Sequence, residues 1–321
     1  MNRLLIALKA AGESTRLRIL SILKDTELTV SELVEILDQS QPRVSRHLKL
    51  LCDSGLLERY QEGARVFHRI ADRGEMAMIA TTLIDLVNHH DQELHRDHDR
   101  LTEIKARNAQ IAQRYFQRNA SEWDSIRSRM VDDIDIEARL IDLFKDQIHG
   151  LFLDLGTGTG RMLEIFSPYF QRGIGVDLSR EMLQVARANL DGAAKTNCTV
   201  RQHDIRQLVF EDNSVDTIMI HQVLHYLDRP DEVLDEALRV VKPGGHIIVV
   251  DFLPHDLEFL REKHAHRRLG ISMSFLELWA KRRQCKLTLF ESLNAEHGSE
   301  QDTLTVGLWQ FSKPLTLQTP R

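Results

Sequence analysis

LFLDLGTGTG at residues 151–160, followed by IGVDLS at 174–179, decides the reading of the larger part of this chain. An apolar run, a glycine-rich turn, a helical stretch and a second apolar run ending in an acid describe one strand–helix–strand unit. The gap from Gly160 to Asp177 is about that of the ribose-binding acid in a Rossmann-like unit. Gly156, Gly158 and Gly160 let the main chain approach a ligand closely. Asp177 can accept the hydrogens of both ribose hydroxyls. Asp204 closes a third β-prone run, CTVRQHDI, where an adenine amino group can be met. Taken singly, Asp177 also reads as a helix cap and Asp204 as a turn aspartate. In open α/β sheets ligands bind beyond the carboxyl ends of the strands, where all these features lie. The pattern predicts a site for an adenosine-containing small molecule.

Outward from this stretch, strand and helix continue to alternate. GRMLEIFSPY, REMLQVARANL and PDEVLDEALRVV read as helices, and VDTIMIH as a strand followed by a turn. Lys242-Pro243-Gly244-Gly245 reads as a turn before the strand HIIVVDF. The alternation predicts a parallel sheet flanked by helices. A charged helical segment at about 256–282 follows. KLTLFESL and TLTVGLWQF then suit an antiparallel edge pair.

The whole chain has 321 residues, enough for two domains. Its 42% hydrophobic and 28% charged content is ordinary for a globular protein. No apolar run approaches the roughly 20 residues of a membrane helix. LLIAL near the N-terminus is too short, and too soon broken by Lys9, for a signal peptide. Cys52, Cys198 and Cys285 form no CxxC pair, which argues against a zinc ribbon or a disulfide framework and for a reducing cytoplasm. The net charge of -6 does not by itself point to nucleic acid.

The N-terminal part says otherwise. Residues 3–11 and 14–23 carry apolar positions at helical spacing. Thr29 with Glu32 is a capping-box signal for a third helix through Leu37. Ser40 is a candidate N-cap for a fourth, which tolerates Pro42 in its first turn and stops at Gly55. Two β-prone runs then flank Glu62-Gly63, a hairpin signal. Two helices joined by a short turn, then a hairpin, describe a winged helix-turn-helix. Val44, Leu48 and Leu51 share one face of the fourth helix, leaving Gln41, Arg43, Ser45, Arg46 and Lys49 facing out. Between residues 41 and 69 six basic residues stand against three acidic ones. Such side chains read base edges or grip phosphates. We assign Ser40, Gln41, Arg43, Ser45, Arg46, Lys49 and, in the wing, Arg65 to double-stranded operator DNA.

SQPRVSRHLKLLCDSGLL with its wing resembles the ArsR family of dimeric winged-helix repressors over about residues 5–75. Members often carry metal-binding cysteines in the helix before the recognition helix; here LTVSELVEIL has none. The resemblance implies a homodimer through the helix after the wing, residues 76–90, matching a palindromic operator. From 75 to 118 the spacing predicts one long helix or two. Asp91, His95 and His98 fall on one face of it. That face reads as a metal site or as a solvated polar face; no second ligand pair is fixed by spacing, so no metal is assigned.

LDLGTGTG, with VDTIMIHQVLHYLDRP and LRVVKPGGHIIVVDF, resembles the class I S-adenosylmethionine-dependent methyltransferases over about residues 111–312. The resemblance implies S-adenosylmethionine or S-adenosylhomocysteine as ligand. It places Asp154, Gly156, Thr157, Gly158 and Gly160 around the methionine moiety, Asp177 and Leu178 at the ribose, Asp204 and Ile205 at the adenine, and His221 beside the substrate. His221, His225 and Tyr226 are the candidates to grip or deprotonate a methyl acceptor. Tyr115-Phe116 and Trp123-Asp124 resemble the lead-in that folds over the cofactor as a lid; a helix packed on the next domain is the alternative. The fold expected is therefore a mainly α winged helix-turn-helix domain (1–75), a helical linker and dimerisation segment (76–120) and an α/β Rossmann-like class I methyltransferase domain (121–321). Two functions are open: a DNA-binding regulator that senses the ligand, or an active small-molecule methyltransferase that also regulates its own operon.

Overall fold

The computed structural model describes residues 2–62, 64–71, 74–87, 91–120, 123, 133–294 and 304–315. The chain divides into two compact units, Met1–Gln110 and Ile111–Arg321.

In the first unit α1 (Asn2–Ala11), α2 (Ser14–Ile22), α3 (Val30–Leu37) and α4 (Gln41–Asp53) precede the hairpin β2 (Leu57–Glu62) and β3 (Arg65–Ile70). A short β1 (Leu28–Thr29) pairs with β3, giving a three-stranded antiparallel sheet in the order β1-β3-β2. The capping box forms as expected: Thr29 Oγ1 accepts from Glu32 N, and Glu32 Oε2 accepts from Thr29 N at 2.9 Å. Gly55 takes a φ of 79°, the left-handed geometry that ends α4. Of the hairpin signal, Gly63 lies outside the described residues. Val44, Leu48 and Leu51 are buried with Ile19, Leu20, Leu33 and Ile36 in a single core.

The stretch after the wing is two helices, α5 (Gly74–Asp85) and α6 (Gln92–Asn119). Leu101 and Ile104 of α6 enter the first core. Arg18 grips the buried Asp97 with two bonds of 2.7 Å, and Arg100 donates to Ile36 O at 3.0 Å. Arg107 grips Glu35 at 2.7 and 2.9 Å.

The second unit opens with the end of α6. Residues 121–122 and 124–132 of the expected lead-in lie outside the described residues, Asp124 among them. A further helix, α7 (Asp133–Phe144), was not legible in the sequence. Then come β4 (Leu151–Leu155), α8 (Arg161–Phe166), β5 (Arg172–Asp177), α9 (Arg180–Gly192), β6 (Cys198–Gln202), β7 (Val215–His221), α10 (Pro230–Val240), β8 (Val241–Phe252), α11 (Phe259–His264), α12 (Met273–Arg282), β9 (Lys286–Asn294) and β10 (Thr305–Ser312). The seven-stranded sheet has the order β6-β5-β4-β7-β8-β10-β9. Its first five strands are parallel, and β10 joins antiparallel between β8 and β9. Alternate residues feed two cores, as the pleat requires. Leu153, Ile218, Ile220 and Val249 pack with Val233, Leu234 and Trp279. Phe152, Met219, Ile248 and Val250 pack with Leu140, Phe166 and Leu190.

Three boundaries differ from the sequence reading. β6 ends at Gln202, and Asp204 lies in the turn beyond it. The Lys242–Gly245 stretch is not a turn before a strand: it is a bulge within β8, because Val215 pairs with Val241 and Thr217 already with His246. Gly244, at φ 78°, donates to Lys313 O, and Lys313 N returns a bond to Gly245 O. The segment 256–282 is two helices, divided at a left-handed Ala265 with φ 57°. Among the described residues no helix is long and apolar enough to cross a membrane.

Asp97→Ala takes from the partly buried Arg18 the carboxylate that grips it, a loss of about 3 kcal/mol for broken pairs of this kind. Amide hydrogen exchange over α2 and α6 should then quicken about 100-fold. Arg107→Ala, which breaks a solvated pair, should change it by less than about tenfold.

Candidate cofactor site and nucleic-acid interface

The glycine turn sits on the carboxyl end of β4. Gly156 N and Thr157 N both donate to Val176 O, at 2.8 and 3.0 Å, docking the turn onto β5. Gly156, Gly158 and Gly160 adopt φ of 72°, 53° and 84°. A Cβ on Gly156 would meet Val223 Cγ2 at 2.5 Å, so this position excludes any side chain on two grounds. The buried Asp154 accepts from Thr157 Oγ1 at 2.6 Å and fixes the turn from beneath.

Asp177, half-buried at the tip of β5, accepts from Gly158 N at 3.0 Å and from Ser179 N at 2.9 Å. Burial raises its pKa, and these main-chain bonds oppose the rise. The structural role weighed for it, capping the start of α9, is thus present: Ser179 in turn accepts from Met182 N at 3.2 Å. The neighbouring Leu178 is 49% exposed. Asp204 is held by Arg206, with bonds of 2.7 and 3.2 Å from the guanidinium to Oδ2. Its carboxyl is half-buried, yet that partner keeps its pKa below the ordinary value. The Ile205 side chain is buried in the core, so only its main chain is free to meet a ligand. His221 closes β7 and is buried; Gln222 follows at φ 54°.

In the first unit the recognition helix shows the face read from the sequence. Gln41, Arg43, Ser45, Arg46 and Lys49 are exposed, as are Ser40 and the wing residue Arg65. Ser40 occupies the N-cap of α4, though its hydroxyl makes no cap bond. Arg43, Arg46, Lys49 and Arg65 enter no ion pair among the described residues.

Comparison with known proteins matches both units. The family described as "Bacterial regulatory protein, arsR family" matches residues 13–59, and "Methyltransferase domain" matches residues 153–249. The chain joins an arsR-family helix-turn-helix to a class I methyltransferase domain. It is 34% identical to the uncharacterized methyltransferase YcgJ of Bacillus subtilis, over 32% of this chain and 42% of that one. It is 29% identical to the demethylmenaquinone methyltransferase of Clavibacter sepedonicus, over 48% of this chain and 61% of that one. The chain thus spans less than two thirds of these relatives. In fold it resembles a chain of the "Complex between the Haloferax volcanii Trm112 methyltransferase activator and the putative methyltransferase", with TM-score 0.51 and 20% identity, over 62% of this chain and 97% of that one.

The methyltransferase domain pairs the candidate His225 with Asp251, a partner that sequence separation concealed. His225 is buried, and its Nδ1 donates to Asp251 Oδ1 at 2.6 Å. Asp251 also accepts from Leu224 N at 2.9 Å and Phe252 N at 2.8 Å. The His225 ring lies 4.0 Å from that of Tyr226 and 4.2 Å from that of His266, centroid to centroid. Burial, then the charges of Tyr115 and Asp251, push the Tyr226 phenol well above its ordinary pKa, so it is a proton donor or a wall rather than a base. Phe116 packs edge-on to Tyr226 at 4.8 Å, and Trp123 to Phe116 at 5.3 Å. Trp123 Nε1 would lie 3.7 Å from a Cβ on Gly158, so the indole stands over the glycine turn. The Tyr115 hydroxyl, its pKa pushed by burial to about 12, donates to His264 Nδ1 at 2.7 Å. Among the described residues no three His, Cys, Asp or Glu side chains are grouped to hold a metal ion, either here or around Asp91, His95 and His98. Asp91 instead accepts from Glu93 N and Leu94 N at the start of α6.

Burial, reinforced by His225 and Arg261, lowers the pKa of His255 to about 4, and burial lowers that of His266 further. Both imidazoles are neutral in the folded domain but titrate near 6.5 when unfolded. Below that value the unfolded chain binds protons the folded one does not, so stability falls as pH drops from 6.5 toward 4. Each group contributes up to about 1.4 kcal/mol per pH unit. Scanning calorimetry should show the domain's Tm falling between about pH 7 and pH 5, with a shallower fall in His266→Phe. Equal slopes in the two proteins would refute the assignment.

Proposed function

We infer that this chain is a DNA-binding transcriptional regulator whose methyltransferase domain binds S-adenosylmethionine or S-adenosylhomocysteine. One observation carries the reading: a single chain holds both an unpaired basic face on a recognition helix and a main-chain turn backed by a carboxylate at the strand tips. The residues fit an adenosyl ligand. Gly158 brings side-chain-free main chain beneath the Trp123 indole, and Asp177 keeps acceptor capacity beyond its two amide bonds. Asp177 would hold the ribose, Leu178 and the main chain at Ile205 would flank the base, and Asp204 reaches the adenine amine only by sharing itself with Arg206. When bound, S-adenosylmethionine supplies a methyl group on a sulfonium.

The regulator is proposed to act as a homodimer on a two-fold operator. Leu4, Leu5, Ile6 and Leu8 on α1 and Met78 on α5 are exposed, with Leu86 just beyond α5 at 77%. Apolar side chains of this size, gathered on two helices that pack together, suit burial against a second copy. Residues 88–90 of the expected dimer segment lie outside the described residues.

The second reading, an active methyltransferase, is favoured by the His225–Asp251 pair, which a purely sensory cleft does not require. Incubation of the purified protein with labelled methyl donor and cell extract separates the two. Label in any small molecule shows catalysis, whereas ligand-dependent DNA affinity without turnover shows sensing.

Asp177→Ala removes the charged acceptor proposed for two ribose hydroxyls, each bond worth about 1.5–3 kcal/mol. Calorimetry should show S-adenosylhomocysteine affinity falling at least about 100-fold in a protein that still melts cooperatively. Unchanged affinity removes the cofactor assignment. Arg43→Ala and Arg46→Ala should each weaken operator binding about tenfold in gel-shift titrations and leave nucleoside affinity unaltered. Wild-type DNA affinity in both variants would count against α4 as the reading helix.

A further inference from the structure

The methyltransferase domain gathers arginines without acidic partners at one edge of its sheet. Elsewhere in the domain Arg139, Arg161, Arg206, Arg239 and Arg283 are each gripped by a carboxylate at 2.5–2.7 Å. Arg172, Arg180, Arg187 and Arg201 enter no ion pair among the described residues. All of them lie between the start of β5 and the end of β6, and β6 is an outer strand of the sheet.

An open groove of about 490 Å³ lies there, lined by residues of α9 and by Gln202 at the end of β6. Arg180, Gln184 and Arg187 follow one another at i, i+4 and i+7, so they share one face of α9, and all three are exposed. Leu183, buried beneath them, is the apolar part of the lining. Gln202 Nε2 donates one hydrogen to Leu178 O at 3.0 Å, which fixes the amide and keeps its second hydrogen for another acceptor. Glu181 is the one carboxylate of the lining, and it accepts from Ser179 Oγ at 3.2 Å. Two guanidiniums and two amides against one engaged carboxylate make the groove a receptor for anions. The rise from Arg180 to Arg187 is about 10.5 Å. That equals about three steps of 3.4 Å along one strand of a duplex, so the spacing suits a row of phosphates better than a single one.

We propose that this groove takes the sugar–phosphate backbone of duplex DNA, as a sequence-independent contact additional to that of the recognition helix. The inference rests on the reading of the first unit as DNA-binding. Two arginines alone hold a duplex weakly. Here they belong to the same chain as α4, so once the recognition helix is bound their engagement is an intramolecular step at high effective concentration. Each phosphate that is neutralised releases counterions and steepens the fall of affinity with salt by about 0.9 in the log–log slope. The contact positions the domain on DNA and reads no bases.

The test is fluorescence anisotropy of the full-length protein on a random-sequence duplex of about 60 bp, titrated between about 50 and 200 mM KCl. Arg180→Ala with Arg187→Ala should weaken binding about tenfold at about 100 mM KCl and lower the slope by about 1 for each arginine. Arg180→Lys with Arg187→Lys should keep the slope, since an ammonium also neutralises a phosphate. Lys281→Ala with Lys286→Ala removes the same charge from exposed residues of α12 and of β9, the opposite edge of the sheet, and should leave the slope as it is. A slope unchanged by the arginine-to-alanine pair overturns the proposal. So does an equal change in the Lys281/Lys286 pair, which would make net charge and not the groove the cause. Should the double variant not fold, Arg180→Ala and Arg187→Ala singly decide in the same way. Arg43→Ala with Arg46→Ala in the same assay separates the two readings. If that pair weakens binding and the groove pair does not, the groove alone fails; a wild type that does not bind the duplex removes the DNA-binding reading and the groove with it.

Discussion

The turn at residues 156–160 is a main-chain device, and its position depends on the absence of a side chain on the next strand. Val176 O takes two amides of the turn, and Thr157 reaches down to Asp154. A Cβ on Gly175 would meet Thr157 Oγ1 at 2.5 Å and Cβ at 2.8 Å, so β5 must be bare where the turn lands. Once the turn is seated, Asp177 can span from Gly158 N to Ser179 N, tying it to the start of α9. The same carboxylate therefore organises the turn and is the one proposed to hold the ribose. Preorganisation of this kind lowers the entropy that binding must overcome.

Local chemistry made much of this legible. The Thr29–Glu32 box, the apolar face of α4 and the near-continuous apolar run of β4 each depend on residues within a few positions of one another. The glycines were readable because their spacing matches the turn they form. What stayed hidden depends on register between distant strands. His225 meets Asp251 only because β7 pairs in parallel with β8, which brings together residues 26 apart. The buried Asp97 gave no sign of its partner Arg18, 79 residues away. Lys242–Gly245 carries genuine turn residues, but pairing with the Lys313 main chain draws them into the strand as a bulge. Local propensity and tertiary pairing disagreed there, and pairing prevailed. Asp204 was expected to end a strand; the guanidinium two residues on gives its carboxylate a competing local partner.

The ring cluster around His225 differs in stability from ordinary core. Lys313 shows what a satisfied buried polar group looks like here: its ammonium is received by Asn213 Oδ1 and by the carbonyls of Leu238, Arg239 and Val241, at 2.6–3.3 Å. His225, His255 and His266 have no such reception for their remaining nitrogens. At about 1–3 kcal/mol each, these vacancies consume a sizeable part of the roughly 5–15 kcal/mol that holds a domain folded. Phenylalanine at His266, neither of whose ring nitrogens has a partner, would fill similar volume among the surrounding rings without that cost. A fold selected for stability alone would discard the His266 imidazole, whereas a site tolerates such unmet groups when a ligand or water completes them. The glycine turn speaks for binding alone, whereas the unmet nitrogens of this cluster mark a place where the fold gives up stability.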